Sequence, residues 1–240
     1  MAKFIDFCKQ GYLMDTVPED IFASIKTSLT DFIKINYNEY LVGQIEEEYY
    51  LGGFGSDKLF FEKENKIIRG NEIIDSKVIE DLEKYLIEQI EEYDKNYGYS
   101  NSYFYRYQPI KNHDNNLQVK LTSLWVNYQK KYEYNPIHDH PGLFSFVIWI
   151  DIPYDLINEF RVKSSKRANT KVNGSFAFHY IDNFGKIRHH TIYLEKESAG
   201  KMVLFPAETK HSVNTFYTSD EYRISLSGNL SLVSLTEEEK

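Results

Sequence analysis

The sequence predicts a mainly β fold with flanking helices: a double-stranded β-helix, or cupin-like jelly roll, with N-terminal helices packed outside it. Three observations carry that expectation. Aromatic residues make up 16% of the 240-residue chain, with 20 Tyr and 16 Phe, and such side chains fit pleated, half-buried surfaces. After Gly98 the chain breaks into short β-branched or aromatic segments separated by turn residues, the pattern of antiparallel strands in a sandwich or barrel. Before Gly98, two segments instead repeat apolar residues at helical spacing.

The first of these is "TVPEDIFASIKTSLTDFIKINY". Asp15 or Thr16 can cap it, Pro18 suits its first turn, and Ile21, Ile25, Leu29 and Phe32 form one stripe. The second, "DSKVIEDLEKYLIEQIEEYDKNYG", lines up Val78, Leu82, Leu86 and Ile90 against a charged remainder. Strands are expected in "LTSLWVNYQKKYEY", "LFSFVIWIDI", "GSFAFHYI", "IRHHTIYLE", "KMVLFP", "HSVNTFYT" and "YRISLSGNL". No Gly/Ser/Pro-rich linker divides the chain. One domain over 1–240 is therefore expected, with a helical and mixed part over 1–100 and the β-helix core over 120–232. The long connection 154–173 carries Arg161, Lys163, Lys166, Arg167 and Lys171, and reads either as a solvated loop or as a lid.

Composition narrows the function. A net charge of −8 argues against general nucleic-acid binding, which needs a basic footprint. The single cysteine, Cys8, excludes an internal disulfide framework and suits a reducing compartment. No secretory leader and no membrane-spanning run is evident, so a soluble cytoplasmic protein is expected, in the host cytoplasm if the source is viral.

The chemistry concentrates in "NPIHDHPG", residues 135–142. In an extended segment residues i and i+2 share a face. His138 and His140 then point together and Asp139 points away. Neutral imidazoles on one face suit Fe, Zn, Cu or Ni. Pro136 and Pro141 bracket the pair, and Gly142 permits a change of direction. His211, where a strand restarts after "KMVLFPAETK", is the best third ligand. The other histidines are weaker candidates. His113 lies in a polar loop, and His189 and His190 must face opposite ways. His179 shares a face with Ser175 and Ala177 and could look into the barrel.

Arg223 and Ser225 again share a face, in "YRISLSGNL". A guanidinium in an apolar strand is costly without an anion, and a bound organic acid would supply one through paired hydrogen bonds, with Ser225 adding another.

His-x-His, a distant His, and Arg-x-Ser on successive expected strands resemble the iron(II)/2-oxoglutarate-dependent dioxygenase superfamily. The chain looks most similar to the 2OG-Fe(II) oxygenases assigned to tailed phages, a group related in pattern to prolyl hydroxylases. The likeness lies in "WVNYQKKYEYNPIHDHPGLFSFVIWIDIPY", "GKMVLFPAETKHSVN" and "YRISLSGNL", roughly residues 120–232. It implies Fe(II) held by His138 and His211, and 2-oxoglutarate whose far carboxylate meets Arg223 and Ser225, with Tyr128 a further contact. It implies O2 as co-reactant and hydroxylation of a peptide side chain or small molecule. The family's usual second ligand is a carboxylate two positions after the first His. Here that position is His140, so the second ligand is His140 by strand alternation or Asp139 if the turn rotates it inward. Phe144, Phe146 or Trp149 would dry such a cavity. Two other readings stay open: a cupin-like metal protein without 2-oxoglutarate, such as a three-His dioxygenase or isomerase, and a non-enzymatic viral binding or structural module.

Overall fold

The computed structural model describes residues 3–7, 10–32, 45–52, 60–63, 66–69, 74–101 and 117–234. Cys8, His113 and the expected end of the first helix beyond residue 32 lie outside them.

Strands β1 (Lys3–Phe7) and β2 (Gln10–Thr16) precede helix α1 (Glu19–Phe32). Strand β3 (Glu48–Gly52) and a small hairpin, β4 (Phe60–Lys63) and β5 (Lys66–Arg69), precede helix α2 (Ser76–Tyr97). The second half brings β6 (Leu117–Gln129), β7 (Asn135–His138), β8 (Phe144–Asp151), the one-turn helix α3 (Leu156–Glu159), β9 (Ser175–Ile181) and β10 (Ile187–Tyr193). It closes with β11 (Lys201–Pro206), β12 (His211–Val213) and β13 (Arg223–Ser234).

The fold is mostly antiparallel β. A seven-stranded sheet has the order β1-β2-β11-β8-β13-β6-β3, and a four-stranded sheet the order β10-β9-β12-β7. Alternation along each strand of the large sheet separates two cores. Phe144, Phe146, Ile148, Leu226 and Leu230 pack with Ile21, Ile25 and Leu29 of α1 and Leu82, Leu86 and Ile90 of α2. Val147, Trp149, Val203 and Phe205 turn the other way and meet Phe176 and Phe178 of the small sheet. Each such buried side chain contributes about 1.5–3 kcal/mol of burial. The helices therefore cover one face of the large sheet and the small sheet covers the other.

Helix α2 begins and ends where the sequence places it. The Asp75 carboxylate accepts from Lys77 N–H, and Gly98 closes the helix at φ 58°. Helix α1 starts later than the caps suggested. Asp15 and Thr16 complete β2, and the helix begins at Glu19, just after Pro18. The Asp15 carboxylate accepts instead from the Tyr85 hydroxyl at 3.3 Å. The N-terminal half also supplies strands that the sequence reading missed: β2 pairs with β11 and β3 with β6. No helix among the described residues is long and apolar enough to cross a membrane.

The basic connection is not draped over the space between the sheets. The Glu159 carboxylate, fully buried, accepts from the N–H groups of Tyr217 at 2.9 Å and Thr218 at 2.8 Å. Asn173 donates to Glu159 O, and Tyr193 donates to Lys171 O. None of residues 161–171 borders the cavity described next, so the lid expectation is not met in this structure.

Candidate metal centre

Between the sheets lies a cavity of about 510 Å³. Its histidine end is built by strand register. Strand β12 pairs with β7 so that His211 lies directly opposite His138. Directly opposed residues point to the same face, and the two ring centroids are 4.2 Å apart. His140 lies two residues past the end of β7, where the ladder no longer orients it. Its backbone N–H donates to Ala207 O at 3.0 Å, and its ring packs 5.2 Å from that of Trp125. Gly142 makes the following turn at φ 111°, where a Cβ would lie 2.9 Å from Ser231 Oγ.

The three rings converge: His140 stands 5.0 Å from His138 and 5.0 Å from His211, and one nitrogen of each lies within 4.8 Å of the others. Nδ1 of His138 lies 2.6 Å from Pro136 O, and Nδ1 of His211 lies 2.9 Å from Thr209 O. A carbonyl only accepts, so each Nδ1 carries a proton and Nε2 is the nitrogen of each ring left to face a ligand. Burial, reinforced by His138 and partly offset by Asp139, lowers the His140 pKa to about 4. Burial, with the His138 and His140 charges, pulls His211 well below the ordinary imidazole value. Both are therefore neutral at pH 7, the form that binds a cation. Asp139 points outward and pairs with Lys210 at 2.6 Å. Phe176 stacks 5.3 Å from the His211 ring and Phe205 stands 5.0 Å away, which makes an apolar wall.

Arg223 forms the other end. It is 3% exposed. Nε and Nη2 donate to Gln129 Oε1, Nη1 donates to the Tyr154 hydroxyl at 2.9 Å, and Nη2 donates to Asn214 O at 2.8 Å. Every one of these acceptors is neutral. A guanidinium has five N–H donors, so one on Nη1 remains uncommitted. The buried charge has no carboxylate partner among the described residues. Glu159, behind Tyr154, is taken by Tyr217 and Thr218. Ser225 lines the same floor.

Tyr128 does not reach this space. It is 1% exposed in the helix-side core, and its hydroxyl donates to Leu29 O at 2.8 Å. Alternation sends its neighbours Asn127 and Gln129 to the cavity instead. Asn127 is Cα partner to Ser225, and its buried Oδ1 has no hydrogen-bond partner among the described residues. Gln129, Tyr154 and Asn127 were missed in the sequence. The i±1 relation to Tyr128 was the available signal for two of them; nothing local marks Tyr154. Among the proposed drying aromatics, Trp149 and Phe146 both border the cavity, the Phe146 ring packing in the helix-side core. Phe144 packs on Tyr93 and Tyr99, and Phe146 lies over Gly228 on the helix side. His179 faces away, with Nε2 2.8 Å from Ser212 Oγ.

Residues 123–229 match the family model described as "Putative 2OG-Fe(II) oxygenase". That match spans less than half of the chain, and over those residues the chain is similar to the 2OG-Fe(II) oxygenases. A prolyl-4-hydroxylase from Pseudomonas putida superposes with a TM-score of 0.51 at 9% identity, covering 92% of each chain; it supports the double-stranded β-helix fold. A Trichoplax adhaerens prolyl hydroxylase, solved with a hypoxia inducible factor peptide fragment, gives 0.45 at 12% identity, covering 96% of this chain and 86% of that one. A 2OG-Fe(II) oxygenase family oxidoreductase from Burkholderia pseudomallei gives 0.34 at 17% identity over 49% of this chain, and the match spans about half, 47%, of that protein. No curated protein matches the chain.

Proposed function

We propose that the protein is an Fe(II)/2-oxoglutarate-dependent oxygenase that hydroxylates a substrate entering the cavity. His138, His140 and His211 hold the metal, and Arg223 with Ser225 holds the far carboxylate of 2-oxoglutarate. The observation that carries this reading is the pairing of three convergent imidazoles with a buried guanidinium that has no carboxylate partner among the described residues. The donor set fits the ion: imidazole suits Fe(II), and three protein ligands leave positions for cosubstrate and O2. When bound, iron with 2-oxoglutarate supplies the oxidation, one oxygen atom of O2 going to the substrate and the other to succinate as CO2 leaves.

The chain's own residues set the conditions. Pro136 O and Thr209 O hold the Nδ1 side of two rings, so that Nε2 of each is the nitrogen turned to the metal. Gln129, Tyr154 and Asn214 splint the Arg223 guanidinium, so little side-chain entropy is lost when a carboxylate docks. Asn127, on the same rung as Ser225, borders the cavity with its buried Oδ1 able to accept from a donor group of a bound molecule. Trp149, Phe176 and Phe205 exclude water near the metal.

Anaerobic titration with Fe(II) and 2-oxoglutarate tests this. A weak visible charge-transfer band is expected with wild type and should be lost or greatly weakened in Arg223→Ala. No band in wild type, or an undiminished band in the variant, overturns the reading.

A further inference from the structure

Among the described residues the small sheet has two edges, β7 and β10, and they differ in kind. Strand β7 carries Pro136, a residue that blunts an edge against pairing. Strand β10 has seven residues, Ile187–Tyr193, with no proline, and it pairs with β9 in unbroken register. Its one charged side chain, Arg188, is folded onto Asp182 at 2.8 Å. Three large apolar residues stand out around its first residue: Ile181 is 65% exposed, Phe184 86% and Ile187 83%. The turn that presents them is built firmly. The Asp182 carboxylate accepts from the Phe184 and Lys186 N–H groups, and Asp182 N–H donates to Lys186 O.

That last bond fixes the hydrogen-bonding phase. Residues 186, 188, 190 and 192 face β9 with their backbone groups. Ile187, His189, Thr191 and Tyr193 direct theirs outward. We propose that this edge is the dimer interface of the protein, with β10 pairing antiparallel to β10 of a second copy about a twofold axis at His190. In this register the outward-directed residues meet one another: Ile187 opposite Tyr193 of the second copy, and His189 opposite its Thr191. About eight backbone hydrogen bonds result, two from each outward pair. The same register sets the exposed Ile187 against Tyr193, which is itself 44% exposed and packs on Phe160. The apolar turn is thereby continued onto an aromatic pair of the second copy. An isologous contact of this kind satisfies both copies at once. The histidine cluster stands by β7, at the opposite edge of the small sheet, so the pairing leaves the cavity clear.

Sedimentation equilibrium of the full chain decides the matter, with Ile187→Lys and Thr191→Pro as variants. Thr191 directs its N–H outward, so proline there removes an intermolecular donor while sparing the β9 ladder. Wild type is expected at twice the 28.4 kDa chain mass, and each variant at the chain mass with unchanged Co(II) binding. If Thr191→Pro fails to fold, Ile187→Lys, at a mostly exposed site, decides alone. A monomeric wild type up to about 200 µM, or an Ile187→Lys protein that remains as dimeric as wild type, overturns the proposal.

Discussion

At His138 and His211 the backbone does the chemistry's preparation, because each Nδ1 proton is pinned to a carbonyl two residues upstream. His140 and Asp139 divide the remaining roles: one ring turns inward over Trp125, and one carboxylate turns out to Lys210. His140→Ala should therefore weaken Co(II) or Fe(II) binding by tenfold or more, about 1.4 kcal/mol. Asp139→Asn should change it less than about fivefold, since an exposed pair is worth at most about 1 kcal/mol. Competition with a metallochromic chelator reads both. Arg223→Ala should raise the 2-oxoglutarate Kd about 10- to 100-fold, the size of a charge-assisted hydrogen bond, about 1.5–3 kcal/mol. Tyr128→Phe separates core from site. Losing the bond to Leu29 O should cost about 1 kcal/mol of stability, with the 2-oxoglutarate Kd unchanged.

Among the elements, β13 carries most of the architecture, because it joins β6 and β8 and bears both Arg223 and Ser225. Gly228 lets those strands close. A Cβ there would lie 2.5 Å from Ser123 O and 2.7 Å from the Phe146 ring. Gly228→Ala should lower stability by about 1–3 kcal/mol, read as a lower urea midpoint with unchanged slope. Most strands of the second half were legible as short apolar runs between turn residues, and the His-x-His spacing anticipated that His138 and His140 share a side, although His140 lies beyond the end of β7. The N-terminal strands were not. β3 begins at the end of the acidic run Glu46-Glu47-Glu48, and its strand character comes from pairing with β6, a tertiary cause. Tyr128 was assigned one residue out of phase, and in a strand one residue is the difference between the cavity and the helix-side core. The partners of Arg223 come from β6, the residue-154 turn and the segment after β12, which no local pattern brings together.

For the whole molecule, the N-terminal strands and helices complete the core of the second half rather than standing beside it: β2 and β3 extend the large sheet, and α1 and α2 cover its face. We propose that residues 1–240 unfold as one cooperative unit. Tryptophan fluorescence, which reports Trp125 and Trp149, and far-UV circular dichroism, which includes α2, should give coincident urea transitions. Two separated transitions would divide the chain instead. The central claim is that three imidazoles share one cation, and anaerobic Co(II) titration followed by visible absorption tests it most directly. One ion per chain is expected, with its spectrum lost in His211→Ala. A wild-type protein that binds no stoichiometric Co(II), or a His211→Ala variant that binds it with the same spectrum and affinity, would contradict the claim.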